Sequence, residues 1–387
     1  MNILFYFISQ INPRSGGTER VADNVAHGLR NRGHKVFYMS RTKVPGDYDV
    51  PCFFLPDTEG ITKGNIDYIN QFCKEHQIDV IINEAGNTDD VLLISKEHIH
   101  GVRIITELHF CPYQNFKYYY RSTHLPLDLR QPLQTFVNLL KWIKTPFNKR
   151  MHWKNTIYRY RYMYEHSDRV VVLSPSYVGE FAEIAGLEET GRLCSIYNPN
   201  SFVASEEPLA KEKMVMAIGR LDFSPKKFNY LLRIWRKVQP RHRDWTLCVC
   251  GDGPARSCLE AMVRKDNIAG VRFEGNVNPQ SFYERASIMC MTSIYEGTPM
   301  VIIEAMLCGC IPMVYGTYAA AHDMIDDGVD GFVVPPFNEG LYAEKLSQLM
   351  DDEDLRLRMK KNAIASSKRF DIDAILDQWE GLLLNRI

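Results

Sequence analysis

The chain has 387 residues, 45% hydrophobic and 24% charged, and a formal net charge of -1. That length exceeds one ordinary core and predicts two domains of roughly 150 to 200 residues each, with the composition of a globular protein that folds in water. Near-neutral charge excludes a chain-wide electrostatic case for nucleic acid, so any charged partner has to be met locally. The sequence holds no run near the ~20 apolar residues that a bilayer-spanning helix needs. Ten scattered cysteines without a C-x-x-C pair speak against structural zinc and read as reduced, buried thiols.

The first apolar run, Ile3 to Ile8, is short and lacks a basic flank and a small-residue cleavage site, so it reads as a buried first strand and not as a signal peptide. The expected location is the cytoplasm or the inner face of its membrane. In "NPRSGGTER" the adjacent Gly16 and Gly17 follow that strand, where a backbone without side chains can approach a ligand and point amides at it. The turn is neither G-x-G-x-x-G nor a Walker A motif. Val21, Val25, Ala26 and Leu29 then recur at helical spacing. "HKVFYMS", "IDVIINEAG" and "VRIITELHF" read as further strands, and strands alternating with helices predict a parallel sheet with crossover helices.

From Lys117 to Arg161 the alternation breaks: ten basic residues and one acid, Asp128, are interleaved with "YYY", "KWIK" and "YRYRYMY". Leu133, Phe136, Val137 and Leu140 fall on one helical face. Two readings stand. Either the stretch is a packed helical part of the domain with its cations in solvent, or it is a peripheral membrane surface, with Trp142, Phe147, Trp153 and the tyrosines at the headgroups. Residues 1–200 are expected to form an N-terminal Rossmann-like domain and 201–213 the linker.

The alternation resumes with "MVMAIG", "WTLCVCG", "VRFEG", "SIMCMTS", "IPMVYG" and "GFVVP", six strand candidates within a second Rossmann-like domain over 214–370. The fold class expected is α/β, two doubly wound domains with a cleft between them and ligands at the carboxyl ends of the strands. After the strand ending at Gly219 come Arg220 and Lys226, two cations suited to a diphosphate. In "YEGTPMVIIEAM", Thr298 and Pro299 predict a helix start, a hydroxyl cap followed by proline at the first helical position. Amides near Thr298, Pro299, Met300 and Val301 then face an oxygen-rich ligand. Glu296 lies on the loop and Glu304 inside the helix, where a carboxylate among apolar neighbours needs a specific partner. Sugar hydroxyls would satisfy both without a metal.

Taken together, "GGTER", "GRLDFSPKKF", "CGDGP", "FEGNV", "YEGTPMVIIEAMLCGCIP", "DGVDGFVVP" and "FDIDAILDQWEGLLL" resemble, in order and spacing, the retaining glycosyltransferases of the GT-B fold, family 4 type. The likeness covers the C-terminal half well and the N-terminal half thinly. It implies that Glu304 binds the nucleotide's ribose diol, that Glu296 contacts donor-sugar hydroxyls, and that Arg220 and Lys226 grip the diphosphate as leaving-group charge develops. It further implies that Gly17 meets the same phosphates and that His109 lies near the reacting sugar. Lys227 stands where many relatives have glycine, so Lys226 and Lys227 compete for the phosphate role, with spacing favouring Lys226. The base is expected near Gly251 and Val277.

The resemblance implies transfer of a hexose or N-acetylhexosamine with retention, from a UDP-sugar first and a GDP-sugar second, to a glycan or lipid-linked acceptor in cell-surface polysaccharide synthesis. No cofactor and no metal are expected: Asp47-Tyr48-Asp49 falls in a polar loop and Asp371-Ile372-Asp373 opens the last helix, neither at a strand end where a D-x-D metal motif belongs. The rival readings are an epimerase or hydrolase on the same architecture and a non-catalytic nucleotide-sugar-binding module. A dehydrogenase is weaker, since "CGDGPARS" lacks the third glycine. The last helix, within 371–387, is expected to cross back onto the N-terminal domain.

Overall fold

A computed structural model of the chain describes residues 1–12, 16–44, 51–86, 88–114, 116–119, 136, 143–200, 202 and 210–385. The chain forms two compact units. One comprises Met1–Tyr113, Arg150–Ser201 and Phe370–Ile387, and the other Gln114–Lys149 and Phe202–Arg369.

The first unit is built on a parallel sheet of seven strands, β1 (Asn2–Ser9), β2 (Lys35–Thr42), β3 (Cys52–Phe54), β4 (Val80–Asn83), β5 (Arg103–Leu108), β6 (Arg169–Val172) and β7 (Leu193–Ser195), in the order β3-β2-β1-β4-β5-β6-β7. The run "ILFYF" is apolar throughout because both faces of β1 are covered. Ile3, Phe5 and Phe7 pack with Val25, Ala26 and Leu29 of the Gly17–Asn31 helix and with Ile375, Leu376 and Trp379 of the Ile372–Leu383 helix. Leu4 and Tyr6 point the other way, into a cluster with Ile69 and Phe72 of the Lys63–Glu75 helix. The C-terminal helix is also held by charge. Arg32 donates to Asp377 (2.6 Å), Glu380 (2.9 Å) and Asp373 (3.1 Å), and Arg103 donates to the terminal carbonyl of Leu383 (2.6 Å).

The second unit carries a parallel sheet of six strands, β8 (Glu212–Ile218), β9 (Thr246–Cys250), β10 (Val271–Gly275), β11 (Ala286–Met291), β12 (Ile311–Tyr315) and β13 (Phe332–Val334), in the order β10-β9-β8-β11-β12-β13. All six correspond to the runs predicted from sequence. Val215, Ala217, Leu247 and Val249 pack against Leu231 and Trp235 of the Phe228–Val238 helix and Leu346 of the Glu339–Asp351 helix.

Strand order reverses beside the first strand of each sheet: β1 lies between β2 and β4, and β8 between β9 and β11. In a doubly wound sheet the loops leaving two such strands diverge to opposite faces and open a crevice at their carboxyl ends.

Several expectations need correction. The 1–200 domain is interrupted, because Gln114–Lys149 groups with the second unit, where the Tyr118 ring meets Phe337 edge-on at 4.9 Å. Of the apolar face expected at Leu133, Phe136, Val137 and Leu140, only Phe136 is among the described residues, and it is exposed. Trp142, Asp47-Tyr48-Asp49 and most of the expected linker lie outside them. The helix over Thr145–His166 buries Tyr160 and Tyr162 and stacks Trp153 on Tyr113. Among the described residues no helix is long and apolar enough to cross a membrane.

Candidate functional site

In the second unit the loops after β8, β9 and β10 converge. The amide of Gly219 donates to the Cys250 carbonyl (3.1 Å) and that of Gly251 to the Gly275 carbonyl (2.6 Å). Gly251 has φ 126°, and a Cβ there would stand 2.1 Å from the Gly219 carbonyl oxygen, so only glycine allows the two loops to touch. The result is a cavity of about 400 Å³ lined by Ile218, Gly219, Arg220, Gly251, Asp252, Asn276 and Val277. Arg220 is exposed, with its guanidinium 3.2 Å from Asp222.

Beside this cavity the Lys226 stem lies along Gly219, where a Cβ would sit 3.4 Å from Lys226 Cε. Lys226 Nζ donates to Glu296 Oε1 at 2.7 Å, both side chains being mostly buried. Lys227 does a different job. It occupies the left-handed region (φ 48°) at the N-cap of the Phe228–Val238 helix, and its carbonyl accepts from Thr292 Oγ1 at 3.0 Å. That backbone conformation is the one glycine adopts at least cost. Burial lowers the Lys227 amine below the usual lysine range.

The Met300–Leu307 helix begins one residue later than expected: Pro299, not Thr298, stands at its N-cap, and the Ile302 amide donates to the Pro299 carbonyl at 3.0 Å. Thr298 and Met300 are buried and Val301 half-buried. Glu304 is buried at 3% exposure. Burial first, and then the neighbouring Glu304 carboxylate, push the Tyr283 phenol well above its ordinary value. Arg220, Gly251 and Val277 thus share one cavity and Lys226 and Glu296 share a hydrogen bond, while Glu304 is not among the residues lining that cavity.

In the first unit, Gly16 is the extended N-cap (φ -165°) of the Gly17–Asn31 helix, and the Glu19 carboxylate folds back to within 2.5 Å of where a Gly16 side chain would begin. His109, immediately after β5, is buried. Its Nε2 hydrogen-bonds Glu84, the first residue after β4, and its Nδ1 lies 3.7 Å from Glu107 Oε1. Gly86 makes this possible: a Cβ there would meet the Glu107 carbonyl oxygen at 2.3 Å. Among the described residues this is the one cluster of His, Cys, Asp and Glu side chains whose donor atoms all lie within 4.8 Å of one another, a spacing a cation could bridge. The Nε2–Glu84 contact is also the one a protonated ring nitrogen makes to a carboxylate.

Sequence reasoning missed Asp252 and Asn276 at the cavity, and Glu84 and Glu107 beside His109. For Glu107 a signal was present: in "TELHF" it stands two residues before His109, and strand periodicity puts the two on one face. Glu84 comes from the neighbouring strand end, and nothing in its local pattern reports that pairing.

Residues 15–199 match the family described as Glycosyltransferase Family 4, and residues 201–366 the family described as Glycosyl transferases group 1. An uncharacterized glycosyltransferase of Haemophilus influenzae is 25% identical over 399 residues, covering 99% of this chain and 100% of its own length. The Campylobacter jejuni GalNAc-alpha-(1->4)-GalNAc-alpha-(1->3)-diNAcBac-PP-undecaprenol alpha-1,4-N-acetyl-D-galactosaminyltransferase is 26% identical over 351 residues, 84% of this chain and 94% of that protein. Among solved structures, Anabaena Alr3699/HepE in complex with UDP superposes with a TM-score of 0.72 at 19% identity, over 100% of both chains. WaaG, a glycosyltransferase involved in lipopolysaccharide biosynthesis, gives 0.63 at 15% identity, over 98% of this chain and 99% of that one.

Proposed function

We propose, for a chain that belongs to the family 4-type glycosyltransferases of the GT-B fold, that it moves a hexose or N-acetylhexosamine from a nucleoside diphosphate sugar to a glycan or lipid-linked acceptor in the synthesis of cell-surface polysaccharide or lipopolysaccharide. The observation that carries this reading is the end of β8, where Arg220 opens into the glycine-walled cavity and Lys226 pairs with Glu296 beside it. A nucleoside diphosphate fits such a place chemically: backbone at Gly251 and Val277 for the base, Arg220 and Lys226 for the phosphates, Glu296 for hydroxyls of the sugar. UDP is the first choice of base and GDP the second. The Campylobacter relative's undecaprenol-linked substrate supports a lipid-linked acceptor.

In this reading the bond between the anomeric carbon and the diphosphate oxygen breaks as the acceptor oxygen bonds the same face. The acceptor's proton passes to the departing diphosphate. Arg220 and Lys226 stabilise the charge that develops on the leaving group, without a metal. Glu304 would contact the ribose diol, and His109 belongs to the side of the reaction supplied by the first unit. A second partner is an anionic membrane surface, met by the outer face of the Thr145–His166 helix.

Calorimetric titration with UDP, GDP, ADP and NAD in EDTA, on the native chain and Glu304→Ala, tests the donor site. One nucleoside diphosphate is expected to bind without metal and to lose that binding in the variant. NAD binding alone, or no binding to either protein, would overturn the reading. Sugar release from the bound donor without any acceptor would turn it toward a hydrolase.

A further inference from the structure

Outside the cavity at the end of β8, the described residues hold a group of three buried ionisable side chains at the carboxyl ends of β4 and β5. His109, Glu84 and Glu107 have side chains only 3%, 2% and 7% exposed. Two buried carboxylates against one neutral ring would leave two uncompensated charges away from water, a costly arrangement. A proton on the ring removes one charge and gives the Glu84 carboxylate a charged donor.

We propose that Glu84 and Glu107 are positioning residues that hold His109 as an imidazolium, so that it acts in the transfer as a fixed positive charge and hydrogen-bond donor and not as the base that takes the acceptor's proton. This rests on the reading of His109 as a residue of the sugar-transfer site. Two features of the geometry support it. Nε2 hydrogen-bonds the Glu84 carboxylate, which when ionised can only accept there, and Nδ1 is buried 3.7 Å from Glu107 Oε1, so a proton on either nitrogen faces a carboxylate. A ring with both nitrogens protonated has no lone pair left to accept a proton.

The charges facing the cluster agree. Burial alone would lower His109, but Glu107 and Glu84, with Glu19 from the Gly17–Asn31 helix, raise it to about 9. Burial pushes Glu107 up, and the Glu84 charge adds to this while His109 opposes it; the Cys194 thiol on β7 feels the same carboxylate. The protonation of His109 and that of Glu107 are therefore linked. A histidine raised in this way adds stability that is complete below its unfolded value near 6.5 and is lost as pH rises through about 9.

The test is nitrogen NMR on histidine-labelled full-length protein, with His109→Gln identifying the signal among the eleven histidines. Both ring nitrogens of His109 are expected to stay protonated from pH 6.5 to pH 8 or above (roughly one to two units past an ordinary histidine). In Glu84→Gln and, independently, Glu107→Gln the transition should move back toward the ordinary range. With an acceptor in hand, Glu84→Gln should lose activity roughly tenfold more at pH 8.5 than at pH 6.5 relative to the native chain, with Glu84→Asp recovering part of it. A native His109 that titrates near 6.5, or a metal ion whose removal by EDTA changes the His109 nitrogens, overturns the proposal. The NMR result needs no transferase activity. An inactive chain with a persistent imidazolium would count against the functional reading alone.

Discussion

At the scale of single residues, adjacent lysines with the same side chain have different work because their backbones differ. Lys226 lies along Gly219 and reaches Glu296, whereas Lys227 is spent on a left-handed N-cap and a half-buried amine. A non-glycine residue in that conformation costs on the order of 1–2 kcal/mol. Lys227→Gly is therefore expected to leave the melting temperature unchanged or higher and nucleotide affinity intact. Lys226→Ala removes a charge-assisted contact and should weaken nucleoside diphosphate binding by about tenfold or more, or roughly 1.4 kcal/mol. The two titrations side by side decide the assignment, and the opposite pattern would give the phosphate role to Lys227.

At the scale of the element, the Thr145–His166 helix packs one face and leaves the other in solvent. Its inner face is the packed helix of the bland reading, with Thr156, Tyr160 and Met163 buried. Its outer face leaves Phe147 (68% exposed), Met151 (50%) and Tyr158 (58%) at spacings of four and seven, with Arg150 and Lys154 exposed next to them. The proposed membrane contact requires this outer face to meet anionic lipid, whose charge complements Arg150 and Lys154. Sedimentation with vesicles is expected to capture the chain on anionic but not zwitterionic lipid. Binding should weaken with salt and fall in a Phe147→Ser, Met151→Ser double variant. Equal binding to both lipids, or none to either, would refute the membrane role.

At the scale of the whole molecule, a sequence-distant segment completes a core. Residues 370–387 group with the first unit, and Ile375, Leu376, Trp379, Leu382 and Leu383 all enter the cluster formed by β1 and the Gly17–Asn31 helix. Five such side chains at roughly 1.5–3 kcal/mol each amount to the order of a domain's net stability of about 5–15 kcal/mol. Deleting Phe370–Ile387 should therefore abolish hydrogen-exchange protection in β1, β2 and β4 while β8, β9 and β11 keep theirs; retained protection in β1 would show that the helix is dispensable. The sequence by itself determined the two alternating strand–helix sets, all six strands of the second sheet, and the glycines and cations at the end of β8, because local periodicity and the chemistry of Gly, Arg and Lys act over a few residues. Only the tertiary structure decided that Gln114–Lys149 sides with the second unit, that Lys226 meets Glu296, and that Glu84 joins Glu107 around His109. Each of those contacts joins residues tens to hundreds of positions apart, and their pairing depends on strand order and on close approach at Gly86 and Gly251, which no local pattern encodes.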